Sequence, residues 1–421
     1  FWKEKLTSAA TITIPEKHID ESVKAGLLHC DLVTFGKSSE GPLLPTIGIY
    51  APIGTESAPI IQFYDVMGWH KLAERCIQFF FDRQLENGFI QNFGGYQSET
   101  GPFLWTVGEH FRYTGNVAWL ERVMPNIRKA VHCLLEWREG NKKEAFRDKG
   151  FYGLVDGKVA DPEDYYHSFF LNAGTYIGLK RIAEITRALD PAYAAWLQEE
   201  VRGYREDIRN AVYYGLARAP VVPVGDGSWV PRLPPWQENT GDLALYADGG
   251  EWFTHGTFLA RSSTIGPLWL MAAELFDPGE HAADMMVKSN QYPFTLENAA
   301  LSQPYYSRHD VAHIKRGEIK AFLKTYYNQL TALQDRETYT FWEHYYGASS
   351  HKTHEEAWFL MQTRWMLYLE DGDALHLFPA APRQWLENGK TITVKNAGSY
   401  FGSLSFCTAS RLEADSAITV Q

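Results

Sequence analysis

Apolar residues recur with a helical period over residues 15–370, and the helices they imply come in pairs. Pro15 suits the first turn of a helix reaching about residue 33, with Ile19, Val23, Leu27 and Leu28 on one side. The pattern continues over 57–67 and 69–84, broken at Gly68, then over 101–113 and 117–137, separated by Thr114-Gly115-Asn116. Further pairs cover 164–189 and 192–216, hinged at Asp190-Pro191, then 264–276 and 280–290, then 309–333 and 353–369. These make about six hairpins without a strict repeat. Short Gly, Pro or Asn turns alternate with long aromatic-rich loops. That alternation is expected when helix pairs close into a ring with one end as a working face. A solenoid, the competing architecture, calls for repeats of more regular length.

After Glu370-Asp371-Gly372-Asp373 the period changes to two. Residues 375–378, 391–394, 403–406 and 417–420 read as strands, punctuated by Asn388-Gly389 and Ala397-Gly398. A tail of about 50 residues supplies too few strands for a sandwich of its own. It has to pack on the helical body or pair with strands outside this chain.

With 14 Trp, 23 Tyr and 24 Phe in 421 residues, the aromatic load exceeds what a core requires, and sugar-binding clefts are a common reason. A net charge of −11 argues against nucleic acid or an anionic membrane surface as partner. No apolar run reaches the length of a membrane-spanning helix, so no membrane insertion is expected. Cys30, Cys76, Cys133 and Cys407 lie far apart without CxxC spacing, so buried free thiols are expected rather than a disulfide framework. The chain opens on Phe1-Trp2-Lys3 and closes on Ile418-Thr419-Val420-Gln421, which reads like mid-strand, so a fragment or processed product is expected. A periplasmic or secreted location is favoured over the cytoplasm, and oligomeric state stays open.

Four acidic sites compete for chemistry. In Thr340-Phe341-Trp342-Glu343-His344, an indole face to stack on a sugar stands beside a carboxylate able to take a proton from water. In Asp161-Pro162-Glu163-Asp164, before a long helix, adjacent carboxylates raise one another's pKa, as a general acid needs, although such acids also serve as ordinary caps. Gly54-Thr55-Glu56-Ser57 carries Glu56, again with capping as the bland alternative. The fourth site holds Asp248, Glu251, Trp252 and His255, after a long irregular stretch bearing Trp229 and Trp236; loops of that length in a helical body with that many aromatics point to substrate contact. Arg308 and His309 open a helix and suit either a sugar hydroxyl or carboxylate, or a cap. The HxxH of His351 and His354 lacks an HExxH or Cys partner and reads as a helix start, so no metal is expected. No phosphate loop, dinucleotide fingerprint or GxSxG elbow occurs.

Together these passages resemble the six-hairpin (α/α)6-barrel glycoside hydrolases, nearest the α-L-rhamnosidase-like group and more distantly the glucoamylases. Gly54-Thr55-Glu56-Ser57-Ala58-Pro59, followed by Gln84-Leu85-Glu86-Asn87-Gly88, is similar to the early hairpin with its Q-x-x-x-G ending. Thr340-Phe341-Trp342-Glu343-His344 resembles the rhamnosidase T-T-x-W-E-x-W segment, whose Glu is the general base. The stretch from Leu377-Phe378-Pro379-Ala380-Ala381-Pro382-Arg383-Gln384-Trp385 through Gly402 resembles the strand passage after the barrel. One departure stands out: rhamnosidases carry their acid just before the early hairpin, and residues 42–55 here hold no Asp or Glu. In glucoamylase-like relatives the acid precedes a mid-barrel helix, which points to the Asp161–Asp164 cluster.

The resemblance implies a mainly α fold, an (α/α)6 toroid over residues 1–372, with 373–421 as part of a β-sandwich and an N-terminal β-domain missing from this chain. It implies an inverting, exo-acting bacterial hydrolase of oligosaccharide or polysaccharide that needs no cofactor. Glu343 is its base, Glu163 its favoured acid within the cluster, and Glu56 the reserve; Trp342 and His344 join the substrate contacts above. Rival readings are a polysaccharide lyase or sugar epimerase on the same toroid, with His255, His309 or His344 moving protons, and a non-catalytic glycan-binding protein.

Overall fold

The computed structural model describes residues 1–159, 165–238, 266–291, 304–343 and 351–421. After a short α1 (Trp2–Thr7), outer helices each precede an inner one. Outer α2 (Lys17–Leu32) leads to α3 (Ala58–Val66), and α4 (His70–Phe81) to α5 (Thr100–Thr114). Outer α6 (Val117–Gly140) leads to α7 (Phe169–Thr186), and α8 (Pro191–Arg218) to α9 (Trp269–Ala272). Outer α10 (His281–Gln291) leads to α11 (Pro304–Ser307) and α12 (His309–Lys315), and α13 (Ile319–Leu333) to α14 (Thr353–Leu367). The inner helices touch in sequence, α3 to α5, α7, α9 and α12, then α11 to α14 and α14 back to α2 and α3, so the ring closes.

Burial explains which helices lie inside. Outer α4 buries Ala73, Cys76, Ile77 and Phe80 along one stripe, whereas inner α14 buries nearly every side chain, polar ones included. Inner α5 and α7 meet backbone to backbone through Gly101, Gly174 and Gly178. A Cβ on Gly178 would lie 2.2 Å from the Gly101 carbonyl oxygen. His29 of α2 and Glu356 of α14, 2.7 Å apart, add a polar contact where the ring closes.

Tight turns follow the inner helices, with Gly68, Gly115 and Gly317 at positive φ, and the long loops precede them. Residues 309–333, expected as one helix, divide at Gly317, where φ of +70° ends inner α12 and lets the chain reverse into outer α13. The helix expected from residue 164 begins at Phe169, capped by the Ser168 hydroxyl, which accepts from the Leu171 amide at 3.0 Å.

Three small hairpins decorate the long loops: β2 (Thr34–Phe35) with β3 (Leu44–Pro45), β4 (Gly157–Lys158) with β5 (Tyr165–Tyr166), and β6 (Val221–Pro223) with β7 (Trp229–Pro231). After α14, β8 (Tyr368–Asp371) pairs with β9 (Ala374–Leu377). Strands β10 (Thr391–Ser399), β11 (Gly402–Arg411) and β12 (Ala417–Val420) form an antiparallel sheet whose other edge is β1 (Thr11–Thr13). The tail packs on the helices, and the strand it recruits is not one outside this chain, as the alternative expected, but Thr11–Thr13 of its own N-terminal region. Ile12, Ile392, Val394 and Phe406 join the common core. Tyr400, between β10 and β11, hydrogen-bonds buried Glu109 of α5 and lies under the Arg112 guanidinium at 3.7 Å.

Cys30, Cys76 and Cys133 are buried free thiols, and Cys407 is free and exposed. No helix among the described residues is long and apolar enough to cross a membrane.

Candidate active site

The loops entering α3 and α14 bring Glu56 and Glu343 together. Residues 53–57 form a tight turn: the Ser57 amide donates to the Ile53 carbonyl at 2.8 Å and the Ser57 hydroxyl to the Pro45 carbonyl at 2.7 Å. Buried Glu99, at the head of α5, accepts from the Gly54 amide at 2.7 Å and the Phe93 amide at 2.9 Å, fixing the loop that carries Glu56. Burial pushes Glu99 up to about 8 despite those bonds. Gly54 leaves little room, since a Cβ there would sit 2.9 Å from the Glu99 carbonyl oxygen.

On the other side, Trp342 donates its amide to Leu333 at 2.8 Å and Lys352 donates its amide to Phe341 at 2.8 Å, which pins the Phe341–Trp342–Glu343 strip between α13 and α14. Trp342 is half-buried and Glu343 is 7% exposed.

Tyr306 of α11 connects the two carboxylates. Its hydroxyl lies 3.0 Å from Glu56 Oε1, 3.2 Å from Glu343 Oε1 and 3.1 Å from His354 Nε2. Those first two distances hold the two carboxylate oxygens within about 6.2 Å of each other. Lys352 Nζ sits 3.0 Å from Glu343 Oε2 and 3.7 Å over the Tyr50 ring. Fully buried Glu355 stands behind His354, at 3.7 Å from its Nε2.

The two glutamates are electrostatically unlike. Burial pushes Glu56 up to about 7, with the Glu343 charge adding to the rise and Lys352 opposing it. Glu343 pairs with the Lys352 ammonium instead. Burial also holds Glu355 well above the usual carboxylate range. One acid that keeps its proton near neutrality and one paired carboxylate, sharing a hydroxyl, are the parts of a general acid–base pair.

Arg308 lies one ring away. Its guanidinium is caged by Trp358 at 3.7 Å, Trp269 at 4.2 Å and Tyr305 at 4.7 Å, and burial lowers it to about 10. Its backbone is left-handed, φ +57°, where the chain bends from α11 into α12. Neighbouring His309 is buried against the Ser307 hydroxyl, and burial drives it well below its ordinary value, so it is neutral. Trp229 stands 63% exposed on β7, whereas Trp236 is 2% exposed with its face stacked on Tyr166 at 4.4 Å. Asp161, Glu163, Asp164, Asp248, Glu251, Trp252, His255 and His344 lie outside the described residues.

The site thus joins Glu56, Glu343 and Trp342, and adds Tyr306, Lys352, His354, Glu355 and Glu99, none of which the sequence had marked as a site residue. The signal for three of them was present in Lys352-Thr353-His354-Glu355-Glu356, a charged run opening a helix with no polar face of its own. His351, the other half of the HxxH, turns outward and pairs with the Thr340 hydroxyl at 2.9 Å.

No protein-family model matches this sequence, and no curated protein is similar to it. Solved structures share its fold. A protein described as a wild-type glycosidase superposes with a TM-score of 0.53 at 11% identity, over 84% of this chain and 98% of the other. The α-L-rhamnosidase of Dictyoglumus thermophilum gives 0.58 at 10% identity, over 95% of this chain and 43% of that one. A GH78 family rhamnosidase of Bacillus sp. GL1 gives 0.57 at 13% identity, over 98% and 41%. This chain spans less than half of either rhamnosidase. At such identities the shared property is the fold, a helical toroid with an attached β part.

Proposed function

We propose that this chain is an inverting glycoside hydrolase that removes sugar units from the ends of an oligosaccharide or polysaccharide. Protonated Glu56 donates to the glycosidic oxygen as the bond to the anomeric carbon breaks. Glu343 takes a proton from a water attacking that carbon on the opposite face, and the hydroxide completes the released sugar. Inverting carboxyls stand roughly 6.5–9.5 Å apart to admit that water, and Tyr306 holds the nearest oxygens of this pair within about 6.2 Å, so the bridge has to open when substrate and water enter. The chemistry calls on no cofactor. Catalysis belongs to residues 1–372, with 373–421 as an attached β segment. The observation that carries this reading is the asymmetry around Tyr306, a carboxyl near neutrality on one side and a lysine-paired carboxylate on the other. The fold shared with glycosidases and rhamnosidases supports it by analogy.

A panel of aryl glycosides and oligosaccharides tests it with the wild type and single carboxamide variants. Glu343→Gln should lose about 10²–10⁴ in kcat on every substrate cleaved by the wild type. Glu56→Gln should lose as much on natural glycosides but little on aryl glycosides with good leaving groups, which need no protonation. If Glu56→Gln shows no such dependence and Glu163→Gln, Asp161→Asn or Asp164→Asn does, the acid lies in that cluster. Full activity in Glu343→Gln refutes the reading.

A second reading keeps one specific support, the Tyr306 hydroxyl 3.1 Å from His354, a pair suited to proton abstraction in a lyase or epimerase. An unsaturated product, or a product of unchanged mass, would favour it.

A further inference from the structure

An inverting hydrolase finishes each cycle with its protons misplaced. The acid has given its proton to the leaving group, and the base holds the one taken from water. Before the next turnover a proton must leave the base and one must reach the acid. Solvent can supply both, but here the two carboxylates are joined by a single oxygen, with Tyr306 Oη 3.0 Å from Glu56 and 3.2 Å from Glu343.

A phenol has one proton to donate and lone pairs to accept with, so it can donate to one glutamate while it accepts from the other and from His354. With Glu56 protonated, its O–H donates to Tyr306, His354 Nε2–H donates to the same oxygen, and Tyr306 donates to ionised Glu343. With the proton on Glu343, that O–H donates to Tyr306 and Tyr306 donates to ionised Glu56, while His354 is unchanged. Both arrangements satisfy every bond. They differ only by two protons each moving across one hydrogen bond, with no net change in charge. Burial holds the Tyr306 hydroxyl well above its ordinary pKa, so no free phenolate accumulates.

We propose that Tyr306 is a proton-transfer residue that resets the enzyme, passing its own proton to Glu56 while accepting one from Glu343. This inference rests on the assignment of Glu56 and Glu343 as acid and base. It adds that the return path runs inside the protein and not through bulk water.

The test compares single-turnover and steady-state rates of Tyr306→Phe on the natural oligosaccharide best cleaved in the panel, whose leaving group takes the Glu56 proton. The expected result is a steady-state kcat that falls about tenfold or more further than the single-turnover rate does, with a burst of one product per enzyme. Raising the concentration of a small buffer such as imidazole, which can carry the proton instead, should restore the variant's steady state and leave wild type unaffected. Equal losses in both rates, no loss in either, or a steady-state loss that buffer does not relieve would each overturn the proposal. Should Tyr306→Phe not fold, 2,3-difluorotyrosine at position 306 keeps the bonds while acidifying the phenol. It should alter the steady state and not the single turnover, and the reverse pattern or no effect would overturn the proposal. Failure of the underlying assignment is seen separately, as undiminished single turnover in Glu343→Gln.

Discussion

Glu56 and Glu343 are the same amino acid within hydrogen-bonding reach of one hydroxyl, and their neighbours make them different reagents. As the proposed general acid, Glu56 acts in its protonated form, so kcat/KM of the wild type should fall as pH rises through about 7. Stability runs the same way. A carboxyl raised from 4.5 to about 7 on folding ionises first in the unfolded chain, so stability is fully present below about pH 4.5 and declines until about pH 7. Glu56→Gln removes that titration. Its stability relative to wild type should therefore improve by on the order of 3 kcal/mol between pH 4 and pH 8, measured by urea unfolding at each pH. A difference that does not change with pH would mean that Glu56 is not held neutral. Glu343 was legible because a Trp-Glu pair in a loop has few other uses, and Glu56 because it follows Gly-Thr before an apolar helix. Tyr306 was not, since its partners lie 250, 37 and 48 residues away and only closure of the ring brings them together.

At the scale of elements, glycine does two jobs that sequence alone does not separate. Gly317 only turns the chain: it has φ of +70° with nothing within 4 Å of a Cβ, so Gly317→Ala should cost about 1–2 kcal/mol of backbone strain. Gly178 lets two inner helices touch, and a Cβ there meets the Gly101 carbonyl oxygen at 2.2 Å, which backbone cannot readily avoid. Gly178→Ala should cost more than Gly317→Ala, about 3 kcal/mol of unfolding free energy read by urea denaturation, as overpacking at a rigid contact does. Equal effects would mean that α5 and α7 can slide apart. The helix pairs themselves were legible from their period. The break at Gly317 was not, because Gly within a helical pattern also occurs in unbroken helices.

Across the whole molecule, the alternation of short and long connections foretold a ring with one working end, since each tight turn can only follow an inner helix if every long loop gathers at the other mouth. The sheet was legible strand by strand, but its fourth member was not: Thr11–Thr13 is too short to read as a strand until β10 offers it an edge. The attachment of that sheet is polar as well as apolar. Burial works to raise Glu109, yet Arg181 and Arg112 hold it down at about 2, and the Tyr400 hydroxyl donates to it. Tyr400→Phe leaves a buried carboxylate short of one donor and should cost about 1–3 kcal/mol of stability with kcat unchanged, because the contact is at the far end of α5 from Glu99. A change in kcat would couple the sheet to the site. The central claim is a single displacement at the anomeric carbon by a water that Glu343 activates, and proton NMR of the anomeric region during cleavage reads it directly. The first sugar released should carry the opposite anomeric configuration to the bond cleaved and then mutarotate, with no signal from Glu343→Gln on the same timescale. Release of the same anomer, or of the same signal from Glu343→Gln, would contradict it.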